Sequence, residues 1–328
     1  MGARLEQLKQ WLGGAVGLPP FALEPASGDA SFRRYFRVTY DGQSVIAVDA
    51  PPAQEDNRPF VRVARQLRGW GLNAPEILAE EPELGFLLVS DLGTELYREH
   101  LDETRVERLY GDALSALLVM QLRGAEVRET LPPYDEALLL QEMALFRDWY
   151  LGRHLQLELT GSQHEVIEAA YRLLVANALS QPQVFVHRDY HSRNLLHTPV
   201  NNPGILDFQD AVWGPVTYDL VSLLRDCYIA WPRERVEEWA LGYQNLAHQS
   251  GVLRQFDELR FLRWFDLMGV QRHLKASGIF ARLNYRDGKP NYLQDIPRTL
   301  GYVADVASRY PELCALHELL STLGALPE

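Results

Sequence analysis

Val184-Phe185-Val186-His187-Arg188-Asp189-Tyr190-His191-Ser192-Arg193-Asn194-Leu195-Leu196 is the stretch from which the fold can be worked out. Three apolar, β-favouring residues open it, so a short buried strand should feed a polar loop. The segment from His197 to Gly204 follows, rich in proline, asparagine and glycine, and its composition predicts a turn. Ile205-Leu206-Asp207-Phe208 then resumes the apolar pattern. Strand, turn and strand predict a hairpin of Leu195-Leu196 against Ile205-Leu206. Such a hairpin is expected to bring Asn194 and Asp207 side by side. Two oxygen-donating side chains would then converge, which suits a hard divalent cation.

His187 through Asn194 matches H-R-D-x-x-x-x-N at every fixed position, the pattern of a kinase catalytic loop. In that chemistry Asp189 faces the acceptor hydroxyl as base. Asp207 is the expected main Mg²⁺ ligand and Asn194 the second, with ATP as the donor. His187 reads as a brace for the loop. His187 and His191 have a spacing that would suit zinc, yet no third ligand follows at metal-site spacing. No GxxxxGK[ST] loop is present, and Asp287-Gly288-Lys289-Pro290 lacks both the hydroxyl residue and the upstream glycine.

Working outward, Phe21 to Leu92 is strand-like in texture around one helical stretch, Asp56 to Trp70. Strands are expected at Phe32–Val38, Ser44–Val48 and Gly85–Val89. Beyond Asp91-Leu92-Gly93 the spacing turns helical, with helices expected at Thr104–Leu122, Asp135–Tyr150, Glu165–Leu179, Pro232–Gln249 and Phe256–Ser277. The expectation is an α+β, bilobal, protein-kinase-like fold. Residues 1–92 would form the small β-rich lobe and residues 93–328 the larger helical lobe with the acceptor site. Met1 to Leu12 reads as an amphipathic helix rather than a signal peptide. The 328 residues carry a formal charge of -12, which argues against a nucleic-acid partner, and no apolar run approaches membrane-spanning length. Two distant cysteines, Cys227 and Cys314, are expected as buried free thiols in a cytoplasmic protein with no obligate protein partner.

Two further segments, Leu206-Asp207-Phe208-Gln209-Asp210 and Gly214-Pro215-Val216-Thr217-Tyr218-Asp219-Leu220, join the loop in a resemblance over nearly the whole chain. The sequence resembles the aminoglycoside phosphotransferase family, which also includes choline and other small-metabolite kinases. Ser27-Gly28-Asp29-Ala30-Ser31, Val48-Asp49-Ala50-Pro51-Pro52, and Gln271-Arg272-His273-Leu274-Lys275 with Gly278-Ile279-Phe280-Ala281-Arg282-Leu283 make it most similar to the anomeric N-acetylmuramate/N-acetylglucosamine kinases of cell-wall sugar recycling. The resemblance implies that Asp219 braces the catalytic loop. It implies that the backbone at Ser90, Asp91 and Leu92 meets adenine, and that residues 27–34 cover the phosphates. A muramate acceptor carries a carboxylate, so Arg272, His273 and Lys275 are its expected contacts.

Two departures stand out. The phosphate loop has one glycine rather than three, which places more weight on Ser31 and backbone N–H groups. The following strand, Val45-Ile46-Ala47-Val48, ends in Asp49 where a kinase usually has a lysine. Asp49 would then stand near that lysine's place, or be a surface residue at the strand end. The missing cation is expected from Arg33 or Arg34, with strand alternation favouring Arg33. A cationic acceptor such as an aminoglycoside or choline, and a nucleotide-binding pseudokinase, are the alternative functions.

Overall fold

The computed structural model describes residues 2–27 and 33–327. From the N-terminus the elements are α1 (Gly2–Gly13), β1 (Ala22–Ser27), β2 (Arg34–Tyr40), β3 (Gln43–Asp49), α2 (Arg58–Gly69), β4 (Ile77–Glu81) and β5 (Phe86–Ser90). Next come α3 (Tyr97–His100), α4 (Val106–Arg123), α5 (Glu136–Leu145), α6 (Gly161–Leu179) and β6 (Gln183–Val186). The chain continues through β7 (Leu195–Leu196), β8 (Gly204–Ile205), β9 (Val212–Pro215), α7 (Tyr218–Leu224) and α8 (Arg233–Gln249). It closes with α9 (Glu258–Asp287), α10 (Ile296–Ala307) and α11 (Cys314–Thr322). Contacts divide it into two compact units, residues 1–95 with 195–210, and residues 96–194 with 211–328. The expected boundary after Leu92 is therefore shifted, and residues 195–210 group with the first unit instead of the second. The reason is local: β8 bridges Asn73 through Gly204, and the His197 N–H donates to the Glu95 carbonyl at 2.6 Å.

In the first unit, five antiparallel strands lie in the order β1-β2-β3-β5-β4. Alternation gives the sheet two distinct faces. Phe36, Val38, Val45, Ala47, Phe86 and Leu88 share one, and α1 covers it with Leu8, Trp11 and Leu12. Each large apolar side chain buried there contributes about 1.5–3 kcal/mol. Leu87 lies on the opposite face, in a groove beside Val61 of α2. Asp49 continues the Val45–Ala47 face and is fully buried under α1. Its carboxylate accepts from Arg4 Nε at 3.0 Å and is ion-paired to Arg34 as well. The surface reading of Asp49 does not hold: it is turned to the α1 face as the buried partner of two guanidiniums.

The second unit is built around α9, against which α5, α6, α7, α8 and α10 pack. The expected helix stopped at Ser277, yet α9 runs ten residues further, to Asp287. Gly278 is the crossing point: a Cβ there would stand 2.3 Å from the Leu145 carbonyl carbon, at the end of α5. Close helix approach outweighs the ~1 kcal/mol that glycine costs in a helix interior. Gly288, at φ 65°, then ends the helix in the left-handed conformation open to glycine. Strands β6 and β9 pair antiparallel, Phe185 opposite Trp213. Cys227 is a buried free thiol as expected, but Cys314 is exposed, since it opens α11 at the surface.

Candidate active site

The catalytic-loop segment 187–194 lies in the second unit and is held at both ends by carboxylates. Asp219, on the first turn of α7, accepts the His187 N–H at 2.6 Å and the Arg188 N–H at 3.0 Å. Burial raises its carboxyl to about 7, against the pull of those two amide donors. Asp226 accepts the Ser192 N–H at 2.9 Å and the Tyr228 N–H at 2.9 Å. Between these anchors, Arg188 takes a positive φ of 78°, a costly conformation for a non-glycine residue. His187 is fully buried, and its Nδ1 accepts the Asp189 N–H at 3.2 Å. Asn194 Nδ2 donates to the Asp189 carbonyl at 3.0 Å, closing the loop on itself.

Charge converges on this loop from elements distant in sequence. Burial works to raise the Asp189 carboxyl, but Lys275, His191, Arg188 and Arg272 together hold it below its ordinary value. Lys275 donates to Glu142 at 2.8 Å and to the Tyr218 hydroxyl at 3.0 Å. Glu142, on α5, is also ion-paired to Arg188 and accepts from the Tyr134 hydroxyl. Arg272 is buried beside Cys227, whose sulfur lies 3.6 Å from its Nη1. Lys275 and Arg272 thus belong to the surroundings of Asp189, whereas His273 does not. The His273 ring is fully buried, bonded to the Arg225 carbonyl at 2.8 Å and stacked on Tyr302. Burial and the neighbouring Arg272 lower it to about 3, so the ring is neutral and its expected acceptor contact is withdrawn. Arg193 is the functional candidate the spacing did not single out: its guanidinium lies 4.4 Å from the Tyr228 ring centre and 5.4 Å from that of Tyr292.

Glu142 was not legible in the sequence, and it offers a measurable test. Burial opposes its ionisation, but Lys275 and Arg188 keep its carboxyl below the usual carboxylate range. Glu142→Gln would leave two shielded cations without their counter-charge, so unfolding free energy should fall by about 3 kcal/mol in neutral buffer. A depressed carboxyl stabilises at pH values above its unfolded pKa, and this contribution is lost as pH falls through the folded value. The difference between parent and variant in urea denaturation should therefore be full at neutral pH and narrow in acid. Equal stability at neutral pH would remove the role given to Glu142.

The first unit holds the other candidates. Asp207 follows the β7–β8 hairpin, in which Leu195 pairs with Ile205 and Leu196 with Gly204. It adopts φ 62°, and its Oδ1 accepts from Gln209 Nε2 at 2.7 Å. Phe208 is fully buried and stacks on Phe60 of α2, ring centres 5.0 Å apart. At the end of β5, the Ser90 N–H donates to the Glu76 carbonyl and its Oγ accepts the Glu76 N–H at 2.9 Å. Asp91 accepts from Arg37 Nε at 2.6 Å, from Ser44 and from the Gly93 N–H at 2.9 Å. Its carboxylate is thereby fixed as the cap of this turn. The two expected phosphate cations are both engaged: Arg33 pairs with Glu55 at 3.3 Å, and Arg34 is bound to Asp49. Arg34 precedes Phe36 on the strand and shares its α1-covered face, so strand alternation does not leave it for phosphate. Ser31 lies outside the described residues.

With this geometry in hand, similarity to known proteins places the chain. A family model described as phosphotransferase enzyme family matches residues 22–265. The chain belongs to this family. The N-acetylmuramate/N-acetylglucosamine kinase of Pseudomonas aeruginosa is 48% identical over 331 residues, covering 98% of this chain and 97% of that protein. The protein of the same name from Pseudomonas putida is 46% identical over 98% and 97% of the two chains. Among solved structures, the GDP complex of aminoglycoside 2'-phosphotransferase-IIIa superposes with a TM-score of 0.64 at 13% identity, covering 94% of this chain and 100% of that one. At that identity the likeness speaks to the fold, which is the expected kinase-like α+β architecture. As a member of the phosphotransferase family, the protein is an enzyme. None of its described helices is long and apolar enough to cross a membrane.

Proposed function

We propose that this phosphotransferase moves the γ-phosphoryl of ATP to the anomeric hydroxyl of N-acetylmuramate or N-acetylglucosamine. The similarity over nearly the whole chain to kinases of that name carries the choice of acceptor. Lys275, Arg188 and Arg272 near Asp189, two of them paired with Glu142, are compatible with a neutral or anionic sugar. The two bacterial relatives of nearly full-length similarity bear names that agree.

In this scheme Asp189 accepts the proton of the attacking hydroxyl. Its depressed pKa keeps it ionised and ready at neutral pH. Lys275 and Arg272 would meet the acceptor's oxygen atoms and, in the muramate, its carboxylate. Asp207 and Asn194 would hold Mg²⁺ with hard oxygen donors, and the ion when bound neutralises charge on the β- and γ-phosphates. Mg²⁺ commonly takes one or two carboxylates, the rest of its shell being phosphate and water, and the side-chain oxygens of Asp207 and Asn194 are donors of that kind. With the Ser90 N–H engaged, the backbone at Asp91 and Leu92 would carry adenine recognition. The reaction belongs in the cytoplasm, where ATP is available.

ATP consumption with N-acetylmuramate, N-acetylglucosamine, choline and an aminoglycoside decides the acceptor. The two amino sugars should be turned over, and phosphorus NMR of the product should show coupling to the anomeric proton. Turnover of choline or the aminoglycoside alone would overturn the acceptor, and none at all would favour a pseudokinase.

Regulation by phosphorylation is not expected. In regulated kinases a new phosphate pairs with an arginine to order the activation loop. Here Glu142 already occupies Arg188, and only residues 207–217 separate the start of this segment from α7. Enzyme made in a host without regulatory kinases should be fully active before and after phosphatase treatment. Activity that appeared only upon phosphorylation would refute this.

A further inference from the structure

Arg193 stands one position before Asn194, whose Nδ2 closes the catalytic loop on the Asp189 carbonyl at 3.0 Å. Its half-buried guanidinium lies over two rings, 4.4 Å from the centre of Tyr228 and 5.4 Å from that of Tyr292. Such contacts use the faces of a guanidinium and leave its N–H groups along the edges. The Tyr228 oxygen takes part of one edge, and no carboxylate lies within ion-pairing distance of Arg193 among the described residues. The two acids nearby are engaged elsewhere. Asp226 accepts the Ser192 and Tyr228 amides, and the buried Asp295 carboxylate is 3.6 Å from Arg298. Arg98, exposed, adds another cation 5.7 Å from the centre of the same Tyr228 ring. Three arginines thus meet two engaged carboxylates, in a chain whose net charge is -12. The buried His191 ring ties this cluster to the base: it lies 5.4 Å from the Tyr228 ring centre, and Asp189 and Arg193 both act on its charge.

The other cations that bear on Asp189 are committed. Lys275 is buried and held by Glu142 and the Tyr218 hydroxyl, Arg188 is paired with Glu142, and Arg272 is buried beside Cys227. We infer that Arg193 is the residue that distinguishes the two amino sugars, receiving the carboxylate that N-acetylmuramate carries and N-acetylglucosamine lacks. The inference rests on the amino-sugar reading of the acceptor and deepens it. The two sugars differ by a lactate joined to the ring through an ether, so one anionic group is all there is to read. A guanidinium can meet it with two parallel N–H groups, and Tyr228 and Tyr292 already restrict Arg193, so little side-chain freedom remains to be lost. Arg193 is also within reach of solvent, whereas Lys275 and Arg272 are shielded and act from the buried side. Arg98 adds attraction at the rim without a grip of its own.

Initial rates at saturating MgATP with N-acetylmuramate, N-acetylglucosamine and N-acetylmuramamide, the neutral amide of the first, test the inference. In Arg193→Gln the ratio of kcat/KM for N-acetylmuramate to that for N-acetylglucosamine should fall at least about tenfold, chiefly through KM, the scale of one lost charge-assisted contact. The corresponding ratio for the amide should move little, because it presents no charge. Arg193→Lys keeps the charge but loses the parallel pair of donors, so its ratio should fall by less. The lysine variant decides the matter if the glutamine variant does not fold. A ratio unchanged in both variants, or an equal fall for all three sugars, would overturn the role of Arg193 and leave the acceptor reading standing. So would a parent enzyme that turns over N-acetylglucosamine and not N-acetylmuramate. Turnover of neither sugar by the parent would overturn the acceptor reading and the role of Arg193 together.

Discussion

Replacing Asp189 by asparagine is expected to lower kcat by roughly a hundredfold to ten-thousandfold while ATP binding is retained. The substitution keeps the size of the side chain and removes its ability to take a proton. The fold should tolerate it, because the loop is anchored by other groups. Asp219 holds the His187 and Arg188 amides, Asp226 holds the Ser192 amide, and Asn194 closes on the backbone carbonyl at position 189 rather than on its carboxylate. One side effect follows from the charges: Lys275 and Arg272 lose an anionic neighbour, so an anionic acceptor could bind somewhat more tightly as turnover falls. The measurement is kcat and both KM values for the variant, with ATP affinity taken separately by calorimetry. A variant that keeps nearly full kcat would sink the assignment of Asp189 as base.

What could be read from the sequence was what lies close together along it. The loop from His187 to Asn194 and the hairpin after it are specified within some twenty residues by apolar pairs, turn formers and fixed spacing, and the hairpin forms, with its second strand one residue earlier than expected, at Gly204–Ile205 instead of Ile205–Leu206. What escaped depends on partners far away in the chain. Glu142 meets Arg188 across 46 positions, and no local pattern marks a glutamate on a mainly apolar helix as the counter-ion of a catalytic loop. Asp49 illustrates the same limit in another form. Alternation along β3 shows that Val45, Ala47 and Asp49 share a face, but which face is covered depends on α1, more than thirty residues upstream. Once α1 lies over it, Arg4 and Arg34 become the partners of Asp49, and Arg34 cannot also serve phosphate. His273 misled for a related reason. It sits between Arg272 and Lys275 in sequence, but one residue along a helix is about 100° around it. The histidine therefore turns towards Arg225 and Tyr302 while its neighbours reach the surroundings of Asp189.

Asp207→Asn is expected to cripple turnover and raise the Mg²⁺ concentration needed for half-maximal rate. The argument begins with charge. Triphosphate brings several negative charges into a site whose two candidate arginines, Arg33 and Arg34, are already paired with Glu55 and Asp49. The usual strand lysine is absent, so the divalent ion carries a larger share of the neutralisation than it would beside a lysine. A carboxylate attracts that ion by charge as well as by coordination, whereas the amide of asparagine offers one neutral oxygen. Loss of charge at Asp207 should therefore weaken ion binding far more than loss of a neutral ligand would. Asn194→Ala provides the comparison, with a smaller shift in Mg²⁺ requirement expected. Folding should survive in Asp207→Asn, since Phe208 remains stacked on Phe60 and asparagine tolerates the positive φ at this position better than most residues. The rate is to be measured against Mg²⁺ at fixed MgATP, with Mn²⁺ as a second ion. If the Mg²⁺ dependence is unchanged in Asp207→Asn, the ligand lies elsewhere, and the pairing of Asp207 with Asn194 at the metal must be abandoned.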